Sequence, residues 1–168
     1  MEKILNNIFD SLEGKYQIEK EDFLNQIPFK HLFLSLPSDV DPSRKYACII
    51  HLMKSKEMTQ FLPVETPLPT LQILHILPHK IGPTYVPQVM RLLNLINTAA
   101  PLPGFGYDER EHQCYYKFCF PVLAALDQNE FIENSLLIMR AIFDVYLEII
   151  QKVSLGQESV EHLLGINL

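Results

Sequence analysis

Two histidine-containing pairs have the spacing closest to that of a metal site. His75 and His79 are four positions apart, which on a helix would aim both imidazoles at one ion, but Pro78 and the surrounding Ile and Leu residues favour a strand. His112 and Cys114 share one face of a predicted strand, yet no second pair with structural-zinc spacing exists. We therefore predict ordinary sheet histidines and no metal ligands.

The nucleophilic side chains lack the partners that catalysis needs. Cys119 is two positions from Lys117, and a nearby cation favours the thiolate, but a half-buried, unreactive cysteine is the simpler interpretation. No G-x-S-x-G motif occurs, and Ser154 or Ser159 with His162 would lie in a frayed C-terminal tail. We predict no catalytic nucleophile.

Glycines and carboxylates complete the search for chemistry. The stretch Gly104 to Gly106 lacks the third glycine and the following helix of a dinucleotide site, and the motif G-x-x-x-x-G-K-[ST] is absent. Asp108, Glu109 and Glu111 fall in a predicted hairpin turn, where water keeps carboxylates ionised. We expect no catalytic and no cofactor-binding residues, and a protein that is not an enzyme.

Length, charge and cysteine content define the class of protein. The 168 residues, 48% of them hydrophobic, fit one domain over positions 1–168 with a sizeable core. The net charge of −6, without a run of basic residues, argues against nucleic acid and anionic membranes as partners. Three cysteines at unrelated spacings indicate reduced thiols in the cytoplasm.

Two further features agree with a cytoplasmic protein. Glu2 and Lys3 interrupt the N-terminal apolar residues, so we expect no secretory signal peptide. The longest apolar helix contains Arg140, Asp144 and Glu148, and these charges argue against a membrane span.

The predicted fold is organised around residues 90–122, which form the end of a helix, a Pro-Gly break and a β-hairpin. Side chains alternate along the strand Gln113 to Phe120, so one face is apolar. That face consists of Cys114, Tyr116, Phe118 and Phe120. The partner strand, Phe105 to Asp108, is too short to cover it, so helices must.

The other elements follow from the periodicity of the apolar residues. We predict helices over residues 1–13 and 85–99 and after Asp127, and strands over 31–36, 46–53 and 71–77. Residues 15–28 stay undecided between a strand and a helical turn. The sequence thus predicts an α+β fold, in the order α-β-β-β-α-β-β-α, with an antiparallel sheet of about five strands and helices on one face.

The last long helix carries an apolar arc of roughly 200°, where one packed interface needs roughly 100°. We expect it to bury one side in the core and another against a subunit or partner. The predicted centre of the apolar face consists of Phe131, Ser135, Ile138, Ile142, Val145, Tyr146, Ile149 and Val153. The predicted solvated ridge consists of Arg140, Asp144, Glu148 and Lys152.

The connection over residues 55–70 carries more apolar surface than a solvated loop needs. A loop folded over the sheet is the simplest interpretation, and an exposed contact arm is the alternative. The partner-binding residues that we predict are Met58, Phe61 and Leu62 in this connection, with Phe143 and Leu147 on the long helix.

A set of residues in the helix, the hairpin and the last helix resembles a known pattern. It consists of Leu92, Leu93, Asn94, Leu95, Asn97, Gly104, Phe105, Gly106, Tyr107, Asp108, Tyr116, Lys117, Phe120, Pro121, Asp144, Val145 and Tyr146. The C-terminal half of the chain thereby resembles the YbjN family of bacterial proteins, whose fold is that of the type III secretion chaperones. The turn over residues 109–112 departs from this pattern because it lacks the glycine often found there, and the connection over residues 55–70 is long.

The resemblance implies a small cytoplasmic protein-binding module, expected as a homodimer, that buries an extended segment of a partner protein on its sheet and along strand edges. The family has no catalytic residues to transfer. A regulator that holds one endogenous partner is the first alternative. A small-molecule-binding protein or an enzyme of unknown reaction is the second, and a closed cavity near His75, His79 and His112 would favour it.

Overall fold

The computed structural model describes residues 2–21, 31–53, 69–122 and 128–165. Six strands and four helices lie in this part of the chain, and a short 3-10 turn, Pro83–Tyr85, precedes the second helix. Their order is α1 (Glu2–Leu12), β1 (Gln17–Glu21), β2 (His31–Pro37), β3 (Lys45–Met53), β4 (Thr70–Lys80), α2 (Val86–Ala99), β5 (Phe105–Asp108), β6 (Gln113–Pro121), α3 (Gln128–Ser154) and α4 (Val160–Leu163). The predicted α+β class is confirmed.

The strands form one open antiparallel sheet in the order β1-β2-β3-β4-β6-β5. Because β1 lies in the segment that the sequence left undecided, the sheet has six strands where we expected about five. The register aligns Leu34, Cys48, His75, Tyr116 and Phe105 in one row across five strands. All five side chains are buried on the face that packs against the helices.

The helix α1 contributes one amphipathic stripe to this core. Leu5, Ile8 and Leu12 recur at the spacing of one helical face and are buried. Gly14 follows at φ +86°, a left-handed conformation that glycine adopts without steric cost. The chain thereby leaves the helix and enters β1.

The side chain of Asn97 joins the end of α2 to the beginning of β5. Its Nδ2 donates to the carbonyl of Phe105 at 2.8 Å, and its Oδ1 accepts from the N–H groups of Gly104 and Phe105 at 3.1 and 3.0 Å. These bonds replace those that another strand would make with this part of the edge. The prolines at 101 and 103 prevent the helix from continuing into this connection.

The long helix α3 supplies the centre of the core. Phe143 is fully buried, and its ring centroid lies 4.9 Å from that of His75, 5.2 Å from Tyr116 and 5.3 Å from Tyr46. The contacts with the two tyrosines are edge-to-face, an arrangement that stabilises by about 0.5–1.5 kcal/mol beyond burial. The ring therefore ties the helix to three neighbouring strands.

The rotation of α3 about its axis differs from the prediction. Of the residues predicted at the centre of the apolar face, Phe131, Ile138 and Val145 are 40%, 38% and 56% exposed. Ser135, Ile142 and Val153, from the same prediction, are buried. The side that packs into the core instead consists of Ile132, Ser135, Leu136, Met139, Ile142, Phe143, Ile150, Val153 and Ser154. Because the apolar arc is so wide, the sequence did not specify which part of it faces the sheet.

The predicted solvated ridge explains the error. Arg140 and Asp144 contact the turn between β2 and β3: Arg140 Nε lies 2.7 Å from Asp39 Oδ2, and Ser38 donates to Asp144 Oδ1 at 2.5 Å. Glu148 and Lys152 do form an exposed pair at 2.8 Å. Two of the four polar residues thus contact the β2–β3 turn. The prediction of a solvated ridge is therefore wrong for Arg140 and Asp144.

Candidate functional site

A groove of about 340 Å³ lies on the sheet face opposite the helices. Its floor includes Leu74 and Ile76 of β4 and Tyr115 of β6, which alternation directs away from the core. Ile76 is 47% exposed, so the floor presents apolar surface to solvent. Leu74, Ile76, Asp108, Glu111, Tyr115 and Lys117 are together termed the sheet groove.

Charged side chains of both signs form the rim of the sheet groove. Asp108 and Glu111 belong to the β5–β6 turn, and Asp108 Oδ1 accepts from the N–H of Arg110 at 2.8 Å. Lys117 lies along β6, with its Nζ 5.7 Å from the ring centroid of Tyr115. The groove therefore combines an apolar floor with two carboxylates and one ammonium group.

Gly106 allows the aromatic part of the floor to lie close to β5. A Cβ atom at this position would lie 2.5 Å from Cζ of Tyr115, its neighbour in the register, so the ring occupies the space above the glycine. A larger residue would displace the ring. This contact gives a structural reason for one glycine of the Gly104 to Gly106 stretch.

The turn that lacks the expected glycine uses a histidine instead. His112 adopts φ +55°, in the left-handed region, and its Nδ1 lies 2.9 Å from the hydroxyl of Tyr107. Its carbonyl accepts from the N–H of Ile81 at 2.7 Å. The departure from the YbjN pattern is therefore compatible with a hairpin.

A second cavity, of about 360 Å³, lies between β3, β4 and α3. We term it the β3–β4 cleft; its lining includes Tyr46, His75, His79, Leu147 and Glu148. The cleft exists because the two strands separate. The pairing of β3 with β4 ends at Cys48 and His75. Beyond this point Pro78 has no N–H to donate to a neighbouring strand. The carbonyl of Ala47 accepts instead from Nδ1 of His75, at 2.8 Å. A side chain thus replaces a bond of the strand ladder.

The two histidines predicted as a pair both line this cleft. The Ser154 hydroxyl donates to the carbonyl of Gln151 and accepts from Nε2 of His79 at 2.7 Å, so Nδ1 of His79 is an acceptor. That Nδ1 is buried without a hydrogen-bond partner among the described atoms. Burial lowers the pKa of both His75 and His79, which favours neutral rings. His112 lies elsewhere, in the hairpin turn.

The cysteines have no activated thiolate. Burial raises the pKa of Cys48 and of Cys114 to about 12. Burial also raises the pKa of Cys119, although the charge of Lys117 acts in the opposite direction. Within the described ranges, no three His, Cys, Asp or Glu side chains lie close enough together to hold a metal ion.

The predicted partner-binding residues have different outcomes. Phe143 is wrong as a contact residue, because its side chain is fully buried among core aromatics. Leu147 is half-buried and lines the β3–β4 cleft. Met58, Phe61 and Leu62 lie outside the described residues.

The floor of the sheet groove could not be predicted from single residues, although the strand patterns contained its signal. The strand predicted over residues 71–77 implies that Leu74 and Ile76 share one face, because side chains alternate. Tyr115 and Lys117 share a face of β6 for the same reason. The pairing of β4 with β6, which brings these residues together, could not be predicted from the sequence.

Comparisons with known proteins identify no relative of this chain. No family model matches it, and neither a curated protein nor a solved structure does. The resemblance to the YbjN family therefore stays a prediction. Among the described helices, none is both long and apolar enough to cross a membrane.

Proposed function

We propose that the chain is a non-enzymatic, cytoplasmic protein-binding module that holds an extended, amphipathic segment of a partner protein in the sheet groove. The observation that carries this proposal is the exposed apolar floor of the groove beside a charged rim. An extended segment presents alternate side chains to opposite sides, so it matches a sheet face with an apolar floor.

Charge defines the partner segment further. Asp108 and Glu111 lie on the groove rim, and the whole chain carries a net charge of −6. Both features favour a segment in which basic residues accompany apolar ones. Covering the 47% of Ile76 that is exposed would contribute about 0.7–1.4 kcal/mol, roughly half of the value for a fully exposed side chain.

The beginning of β5 is a poor site for the binding along strand edges that we expected from the sequence. Asn97 already occupies the backbone groups of Phe105 at this edge. A partner strand would have to displace these hydrogen bonds in order to extend the sheet there. Binding on the sheet face, rather than strand addition at the beginning of β5, is therefore the mode that we propose.

Site-specific photocrosslinking in native cells tests the proposal. A photoreactive amino acid replaces Ile76 in the groove or, as control, Val40, which is 79% exposed in the β2–β3 turn. We expect a crosslink from position 76, but not from position 40, to an extended, basic and apolar segment. One such protein would indicate a regulator of that partner, whereas several would indicate a chaperone. Crosslinks of equal yield at both positions would contradict the proposal.

The β3–β4 cleft favours a second candidate function, the binding of a small molecule. Its volume is in the range of small ligand sites, and His79 Nδ1 is an acceptor without a partner among the described atoms. Such a ligand would have to donate a hydrogen bond. Fragment screening by ¹H–¹⁵N NMR tests this function: hits that shift the imidazole resonances of wild type but not of His79→Phe would favour it.

A further inference from the structure

A row of exposed side chains follows the side of α3 that points away from the core. Successive members are four, three, four, four, three and four positions apart, so the row stays on one stripe of the helix. This outer stripe consists of Glu130, Asn134, Leu137, Ala141, Val145, Glu148 and Lys152. Leu137 and Val145 are 45% and 56% exposed, and they place apolar surface at its centre.

The outer stripe is symmetric about Ala141. The intervals are the same in both directions, and the residue types at matching distances are complementary. Leu137 and Val145 are each four positions from Ala141, while the acidic Glu130 and the basic Lys152 are each eleven positions away. A face with this symmetry can pair with a copy of itself that runs in the opposite direction.

We propose that two copies of the chain associate through the outer stripe, with their α3 helices antiparallel and the two-fold axis at Ala141. Leu137 of one copy then packs against Val145 of the other. Glu130 lies opposite Lys152 at both ends, so Lys152, which pairs with Glu148 of its own helix at 2.8 Å, also faces a carboxylate of the other copy. The small side chain at position 141 lets the helices approach to the usual 8–10 Å.

The size of the stripe determines the strength of this dimer. The distance from Glu130 to Lys152 is 22 residues of helix, or about 33 Å. One helix pair of this length buries less than the roughly 800 Å² per partner of a standard stable complex. The dimer is therefore weak and depends on concentration. It uses the side of the molecule opposite the sheet groove, so it goes beyond the proposed function and stands or fails independently of it.

Cysteine crosslinking tests the orientation of the two helices. In a background with Cys119→Ser, which removes the exposed native thiol, Ala141→Cys places the two new thiols at the axis. The control is Asn134→Cys, for which the two copies lie about 21 Å apart along the helices. A disulfide needs Cα atoms within about 7 Å, so only the first variant should crosslink under mild oxidation.

The pattern of crosslinks tests the proposed dimer. A disulfide-linked dimer with Ala141→Cys alone supports it. Crosslinks at both positions would indicate parallel helices in register, and crosslinks at neither would show that the stripe is not an interface. Either of these results overturns the proposal.

Sedimentation equilibrium provides a second, independent readout on the chain without new cysteines. We expect Val145→Lys to raise the dimer dissociation constant at least tenfold, and Asn94→Lys, at an exposed position of α2, to leave it unchanged. Glu130→Lys should also weaken the dimer, because the new ammonium group would lie opposite that of Lys152 in the other copy. Wild-type protein that stays monomeric at millimolar concentration would overturn the proposal.

Discussion

The hydroxyl of Tyr46, on β3, donates a 2.6 Å hydrogen bond to Oδ1 of Asp144, on α3. The same carboxylate accepts from the hydroxyl of Ser38 and from the N–H of Asp39, at 2.5 and 2.9 Å. One side chain of the helix thus holds the turn between β2 and β3. Burial raises the pKa of Asp144, but these hydrogen bonds and the charge of Arg140 outweigh it and hold the pKa below its ordinary value.

We predict that Asp144→Ala destabilises the protein by about 1–3 kcal/mol, because two half-buried hydroxyls lose their acceptor. Urea denaturation measures this change. Glu148→Ala is the matched control on the same helix, since the ion pairs that Glu148 makes with the described residues lie at the surface, where solvent screens them. An equal decrease in the free energy of unfolding for both variants would show that the hydrogen bonds of Asp144 stabilise the protein no more than surface ion pairs do.

Stability should fall in mildly acidic solution because of the buried histidines. Burial lowers the pKa of His75 and His79 below the ordinary 6.5, so the unfolded chain binds more protons than the folded one. Their contribution is fully present above pH 6.5 and is lost as the pH falls from there through the folded-state pKa. Urea midpoints at pH 7.5 and 5.5 measure the loss.

A histidine variant isolates this pH dependence. His79→Gln should reduce the difference between the two midpoints, because glutamine does not titrate. Asn94→Gln, a change between two non-titrating side chains at an exposed position of α2, is the control and should leave the difference unchanged. The same pH dependence in all three proteins would rule out His79 as a contributor.

Asn97→Ala should destabilise the protein by about 1–3 kcal/mol, because three backbone groups at the α2–β5 junction lose their partner. Asn94→Ala, one turn earlier on the exposed side of α2, is the control. Hydrogen exchange by mass spectrometry would locate the effect. Protection should decrease over residues 104–108 in the first variant alone.

Two glycines with the same backbone conformation allow a steric prediction. Gly156 and Gly165 have φ of +69° and +67°, but a Cβ at Gly156 would lie 2.4 Å from the ring of Tyr85, whereas one at Gly165 would meet no described atom within 4 Å. Gly165→Ala therefore measures backbone strain alone, of about 1 kcal/mol. Gly156→Ala should lower the thermal midpoint further, because the ring of Tyr85 must shift. Equal midpoints would show that this exposed ring shifts without cost.

Much of the fold could be predicted because apolar residues recur with the period of each element. The alternation along β6 and the stripe of Leu5, Ile8 and Leu12 correctly gave both the elements and their buried faces. The rotation of α3 could not be predicted, because Arg140 and Asp144 bind a turn that is distant in sequence. A polar residue does not reveal from its type alone whether its partner is water or protein.

The candidate site was less predictable for a related reason. The sheet groove needs the pairing of β4 with β6, and α2 and β5 lie between these strands in the sequence. Phe143 was chosen as a contact residue on its apolar character, which a core position and an interface share. Exposure separates the two roles, and it is a property of the folded chain.

The binding of a partner segment to the sheet groove is the central claim, and calorimetric titration tests it most directly. A synthetic peptide with the sequence of the segment crosslinked at position 76 is titrated into wild type, Ile76→Lys and Val40→Lys. Both variants add one positive charge at an exposed apolar position. We predict at least about tenfold weaker binding of the peptide, or about 1.4 kcal/mol, for Ile76→Lys and unchanged binding for Val40→Lys. Equal affinity of all three proteins for the peptide would contradict it.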